Sequence, residues 1–249
     1  MPAPLPLLPL ASWFPHGNWP RLPCGSCDVG ELRVGTASEI DVAARYRDHP
    51  GWEPDWIHGF FTLSAECSNR DCQGVAVIFG DMKVDADVDE RGHWHGEHDT
   101  FYRIRYVDPP LALVRVPSRC PDDVSNAIAD ASRLMWIDSG STANRLRTVV
   151  ELLLTALGVR KTTTGRKRMT THARIEALRT TRPDVADVLE AVKWIGNVGS
   201  HAEAPTTKDV LEGAALLEHS LKLVYDTSDK EIARLAKRVN KRRGRPSKA

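Results

Sequence analysis

The sequence predicts an α+β protein: a small cysteine-anchored module with a few antiparallel strands, followed by an all-α antiparallel helical bundle. Three observations carry this expectation. Four cysteines fall in two closely spaced pairs in the first third of the chain. Apolar residues alternate with a period of two up to about residue 107, and repeat with a period near 3.6 from residue 121 to 225. Proline pairs at Pro109-Pro110 and at Pro117 and Pro121 mark the change. The length of 249 residues suits one large domain or two small ones.

Taken in order, residues 1–19 read as a proline-rich arm, mobile or docked on the surface. The first ten residues hold four prolines and no basic start, which argues against a secretory leader. Residues 20–118 form the cysteine module. Cys24-x2-Cys27 and Cys67-x4-Cys72 are separated by 39 residues. Each pair can close a tight turn that aims two thiolates at one point, helped by Gly25 and the turn-forming residues 68–71. Four thiolates suit tetrahedral zinc, and an all-cysteine set leaves no open position, so the expected zinc is structural. Two disulfides or four free thiols are the alternatives, and a cytosolic setting disfavours disulfides. Trp52, Trp56, Phe60 and Phe61 are expected to cover the metal. Cys120 reads as an ordinary thiol.

Residues 75–79 have the pattern of a buried strand, residues 82–88 that of a strand pairing with it, and residues 101–107 that of a half-exposed strand. Between them lie His93, His95, Glu97 and His98. They read as a polar hairpin tip, with a second metal site as the rival reading.

Residues 119–227 are expected to be helical. Asp122 and Asp123 can cap a helix to about residue 137, with Val124, Ile128, Ala131, Leu134 and Met135 inward. Residues 142–157 carry a stripe of Leu146, Val149, Val150, Leu153, Leu154 and Leu157, stopped by Gly158. Residues 161–168 read as a mobile basic loop able to touch nucleic acid. A short helix spans 171–179. Pro183 opens the next, with Val185, Val188, Leu189, Val192 and Ile195 at helical spacing. Gly196 and Gly199 bring its backbone close to a neighbour or end it. Asn197 and His201 share a face if the helical turns continue. Pro205 starts a long helix to residue 225. Short connections between amphipathic helices imply an antiparallel bundle.

Formal net charge is +1, unevenly spread. From Arg234 onward there are eight Lys/Arg and no acid, which leaves 26 basic and 33 acidic residues for the rest. Such a tail, residues 228–249, suits a polyanion. Its Arg242, Arg243, Gly244, Arg245 and Pro246 resemble an AT-hook, in which glycine lets the backbone sit deep in a narrow minor groove and arginines follow its negative potential. DNA is therefore placed ahead of RNA as partner. No apolar run is long enough to span a bilayer, so a cytosolic protein with no membrane partner is expected.

Three stretches carry a family resemblance: Ala143-Asn-Arg-Leu-Arg-Thr-Val-Val-Glu151, Arg174-Ile-x-x-Leu, and Trp194-Ile-Gly-Asn-Val-Gly-Ser-His201. With the long helix ending at Tyr225, they resemble a HEPN-like helical domain of unknown function, found alone or appended to type I restriction-enzyme subunits. A preceding cysteine-knuckle module is common there. The resemblance implies a helical bundle, a homodimer, and a setting in restriction or antiphage defence. Active HEPN ribonucleases carry Arg-x-x-x-x-His, often with Asn after the Arg. The arginine steadies phosphate charge and the histidine moves a proton. Asn197 and His201 match that pattern, but Gly196 stands where the arginine belongs. A replacement cation would have to be Lys193, or Arg145 or Arg147, and Arg147 and Glu151 can instead form a helix pair. The expectation is a non-catalytic, nucleic-acid-associated binding or scaffold protein. The rival is a metal-independent endoribonuclease using His201, Asn197, Lys193, Arg147 and Glu151.

Overall fold

The computed structural model describes residues 6–27, 29–88, 91–198, 204–226 and 228–241. Seven strands come first: β1 (Phe14–Pro15), β2 (Leu22–Pro23), β3 (Glu31–Val34), β4 (Ser38–Asp41), β5 (His58–Cys67), β6 (Val75–Val88) and β7 (Trp94–Asp108). They form one antiparallel sheet in the order β1-β7-β6-β5-β3-β2, with β4 also pairing β5. Six helices follow: α1 (Asp122–Leu134), α2 (Ser139–Ala156), α3 (Thr171–Arg179), α4 (Pro183–Val198), α5 (Thr207–Tyr225) and α6 (Ser228–Lys241).

β5 alternates strictly. Gly59, Phe61, Leu63 and Ala65 are buried, while Phe60, Thr62, Ser64 and Glu66 are exposed. This is the period-two pattern of a strand with one face on a core. Residues 75–79 and 82–88 do not pair with each other as expected. They are two halves of β6, which runs against both β5 and β7. Gly80 joins the halves at an irregularity in the β6–β7 register. A Cβ there would lie 2.2 Å from the Arg103 carbonyl oxygen, so only glycine lets the strands stay paired.

The aromatic residues of β5 serve the sheet rather than the cysteines. Phe61 stacks on Tyr102 at 4.1 Å, and Trp19 meets it edge-on. Phe60 stacks on Phe79 on the opposite, exposed face. Both lie six or seven residues from Cys67, roughly 20 Å along an extended strand. Trp56 precedes that far end and is exposed. The expected cover of the cysteines by Trp56, Phe60 and Phe61 is thus corrected: side chains at the start of this strand cannot reach its distal corner.

One hydrophobic core runs from the inner sheet face into the helices. Residues 109–118, expected as a linker, form a packed strap in which Leu111, Leu113 and Val114 are buried. The Leu113 amide donates to Ser132 Oγ at 3.3 Å, and the Arg115 amide donates to Glu218 Oε2 at 3.0 Å. The described part of the proline-rich arm is also docked. Leu7, Leu10 and Phe14 are buried, β1 pairs with β7, and a 3-10 turn at Leu8–Ala11 packs on α5.

α2 and α4 lie at the centre of the helical body. Leu146, Val149, Val150, Leu153 and Leu154 of α2 are fully buried, each such side chain contributing about 1.5–3 kcal/mol relative to exposure. Asp138 caps α2 by accepting from the Ser141 amide, and Thr170 caps α3 by accepting from the Ala173 amide. Thr206 and Asp209 form a reciprocal capping box on α5. At Gly196, α4 crosses α2 so closely that a Cβ would stand 2.7 Å from Arg147 Cβ and 2.9 Å from the Ala143 carbonyl oxygen. No described helix is long and apolar enough to cross a membrane.

Candidate metal centre and cationic cleft

The four cysteines of the two pairs converge at the end of the sheet where β2, β3 and the loop after β5 meet. Their sulfurs all lie within 4.8 Å of one another. Cys24 and Cys72 are 3.9 Å apart and Cys27 and Cys67 3.7 Å. A tetrahedron with metal–sulfur bonds of about 2.3 Å needs edges of about 3.8 Å. The thiols are free. Backbone amides donate to sulfur, among them Ser26 to Cys24, Gly30 to Cys27 and Asn69 to Cys67, at 3.3–3.4 Å. Amides aimed at sulfur favour thiolate. Those of Val29 and Gly30 bring the Cys27 thiol down to about 6. Burial pushes Cys67 up to about 12. Glycines make room: a Cβ on Gly30 would sit 2.2 Å from Cys67 Sγ. The residues thus fit a metal ion held by four sulfurs. Cys120 is separate, buried, and raised by that burial.

The tentative catalytic residues lie on α2 and α4 where they are described. Arg147 and Glu151 face each other on α2 at 3.9 Å, as the helix-pair reading expected. Lys193 is buried on α4, against α3. Its ammonium lies 3.4 Å from Glu190 Oε1, 3.4 Å from His172 Nδ1 and 3.8 Å from the centre of the Trp194 ring. Asn197 is half-buried in the last turn of α4. His201 lies outside the described residues, as do Arg242, Arg243, Gly244, Arg245 and Pro246. The side chain of His95 also lies outside them.

His172, Glu176 and Glu190 also come together. Arg179 binds both carboxylates and Asp187 as well, and Lys193 shares Glu190. Burial alone would raise the Glu190 carboxyl, but Lys193, Arg179 and His172 outweigh it and hold it low. This is an ion-pair network whose carboxylates are already neutralised.

A second feature went unread in the sequence. Residues 161–168, expected as a mobile loop, form a closed hairpin: Thr162 bridges Arg168, and the Met169 amide donates to the Lys161 carbonyl at 2.9 Å. The hairpin, α2 and the start of α3 enclose a cleft of about 390 Å³. Arg147, Lys161, Arg168 and Arg174 line it against one carboxylate, Glu151. Glu151 accepts from Thr171 Oγ1 at 2.6 Å. The readable signal was Arg174 itself, a cation on the same helical face as Thr171 and Leu178, where an apolar residue belongs.

Fold and sites together define an α+β protein with a four-cysteine cluster at the sheet end and a cationic cleft in its helical body. Residues 129–242 match a family described as a domain of unknown function (DUF4145), and residues 12–107 match a second (DUF8608). No curated protein and no solved structure matches the chain.

Proposed function

We propose that the protein is a non-catalytic nucleic-acid-binding scaffold of HEPN-like architecture, with a structural zinc in its N-terminal module. On the resemblance given above it is a cytosolic homodimer serving restriction or antiphage defence. The observation that carries the binding reading is the charge of α6. Residues 232–241 are all exposed and hold Arg234, Lys237, Arg238 and Lys241, with no carboxylate among them. A helix so charged gains most by neutralising phosphates and releasing their counterions. It leads directly into residues 242–249, where the AT-hook-like segment lies.

The non-catalytic half of the reading is supported at Gly196. An arginine there would drive its Cβ into the Ala143 carbonyl and Arg147, so α2 and α4 would have to part. Lys193, one of the candidate replacement cations, is already engaged by Glu190 and His172. The zinc reading rests on the four converging sulfurs and on the preference of Zn²⁺ for tetrahedral thiolate.

The test is affinity for a labelled A·T-rich duplex as a function of salt. The full chain is compared with a variant carrying Arg234→Glu, Lys237→Glu and Arg238→Glu. Log affinity should fall linearly with log salt, and the variant should lose both affinity and slope, about one unit per phosphate contact removed. No binding by the unaltered protein at low salt would refute the proposal.

A further inference from the structure

One buried charge in the helical body has no ion-pair partner among the described residues, and the nearby Glu151 carboxylate only partly offsets its burial. Arg174 is 5% exposed. Its guanidinium donates to the Glu151 carbonyl at 3.1 Å, Thr155 Oγ1 at 2.9 Å and the Val159 carbonyl at 3.1 Å. All three acceptors are neutral, and its Nε has no hydrogen-bond partner. Among the described residues, Glu151 ion-pairs with Arg147, and no carboxylate does so with Arg174. Buried charges are normally paired, because an isolated one is costly to desolvate.

Arg174 forms part of the wall of the cleft between α2, the 161–169 hairpin and α3. The cleft brings in three more cations. Arg147 is shared with Glu151, while Lys161 and Arg168 make no ion pair among the described residues. The hairpin's backbone bonds hold the last two in place. Thr170 and Thr171 also line it, so the first turn of the nine-residue α3 opens there and adds partial positive charge. With one carboxylate against four cations, the cleft is suited to an anion carrying more than one charge. A phosphomonoester carries about −1.5 to −2 at neutral pH and offers three strong acceptor oxygens. A volume of about 390 Å³ lies in the range of small-ligand sites.

We propose that this cleft binds a terminal phosphate group, seated among Arg174, Arg147, Lys161 and Arg168. The inference rests on the polyanion-binding reading and narrows it to the phosphorylated end of a strand. A small phosphate ester offers the same group, and the experiment separates the two.

The full chain is titrated calorimetrically with adenosine, AMP, and a short oligonucleotide bearing either a 5′-phosphate or a 5′-hydroxyl. AMP should bind and adenosine should not. A Lys161→Gln, Arg168→Gln variant, altered only on the hairpin surface, should bind AMP at least about tenfold more weakly with unchanged Tm, a difference of about 1.4 kcal/mol. The 5′-phosphorylated strand should outbind its hydroxyl twin. If it does not while AMP still binds, the narrowing to strand ends is overturned. Equal binding of adenosine and AMP, no binding of AMP at millimolar concentration, or an unaffected hairpin variant overturns the site itself. The two proposals fail separately. AMP binding without duplex affinity would sink the α6 reading alone, and duplex affinity without AMP binding would sink the cleft alone.

Discussion

Gly196 shows how one residue can decide both a fold and a chemistry. The sequence offered two readings of this glycine, a close helix approach or a helix end. The approach is what the structure holds, with 2.7 Å between a hypothetical Cβ and Arg147 Cβ. Gly196→Ala should therefore destabilise the protein by about 1–3 kcal/mol, despite the better helix propensity of alanine. The urea midpoint would report it, and an unchanged or raised midpoint would disprove the close crossing. Asp209 makes a second residue-scale prediction. Its carboxylate accepts from the side chain and amide of Thr206, which hold it below the ordinary aspartate range. A lowered folded value means stabilisation is present above the unfolded value of about 3.9 and lost as pH falls through the lower folded one. Asp209→Asn should cost about 1 kcal/mol at pH 7, and the gap from the unaltered protein should close below about pH 4. A gap of equal size at pH 3 would contradict this.

At the scale of elements, the helices were far more legible than the sheet. Leu146, Val149, Val150, Leu153 and Leu154 advertise a buried stripe because helical periodicity is local. β5 was missed although its alternation is clean, because Gly59, Ser64 and Ala65 dilute its β-forming residues. β6 was split in two because Gly80 reads as a break when it is a register shift inside one strand. The cysteine pairs were legible because their spacing is a local geometric requirement. Convergence of the two pairs is not local: β3 pairing with the end of β5 brings Cys67 to Cys27. That convergence predicts the effect of the metal. Cys24→Ser and Cys67→Ser should each abolish stoichiometric zinc, measured by atomic emission on purified protein. Removing the metal should loosen the sheet end, and a loss of about 3 kcal/mol would lower Tm by roughly 6–12 °C. Full zinc retention in both variants would remove the metal centre from the account.

At the scale of the molecule, sheet and helices share one core through the packed strap at residues 109–118. The core leaves positive charge outward in two places, the cleft beside α3 and the exposed face of α6. The tail charge could be counted directly from sequence. The cleft could not, because Arg147, Lys161, Arg168 and Arg174 are neighbours only after α2, the hairpin and α3 have packed. A protein built this way should hold a strand without cutting it. The direct measurement is to incubate full-length protein with end-labelled RNA at low salt in magnesium-free buffer, at concentrations where binding is saturated. The recovered strand is then resolved on a denaturing gel. The account predicts RNA that is bound and recovered at full length; cleavage products that vanish with His201→Ala would contradict it.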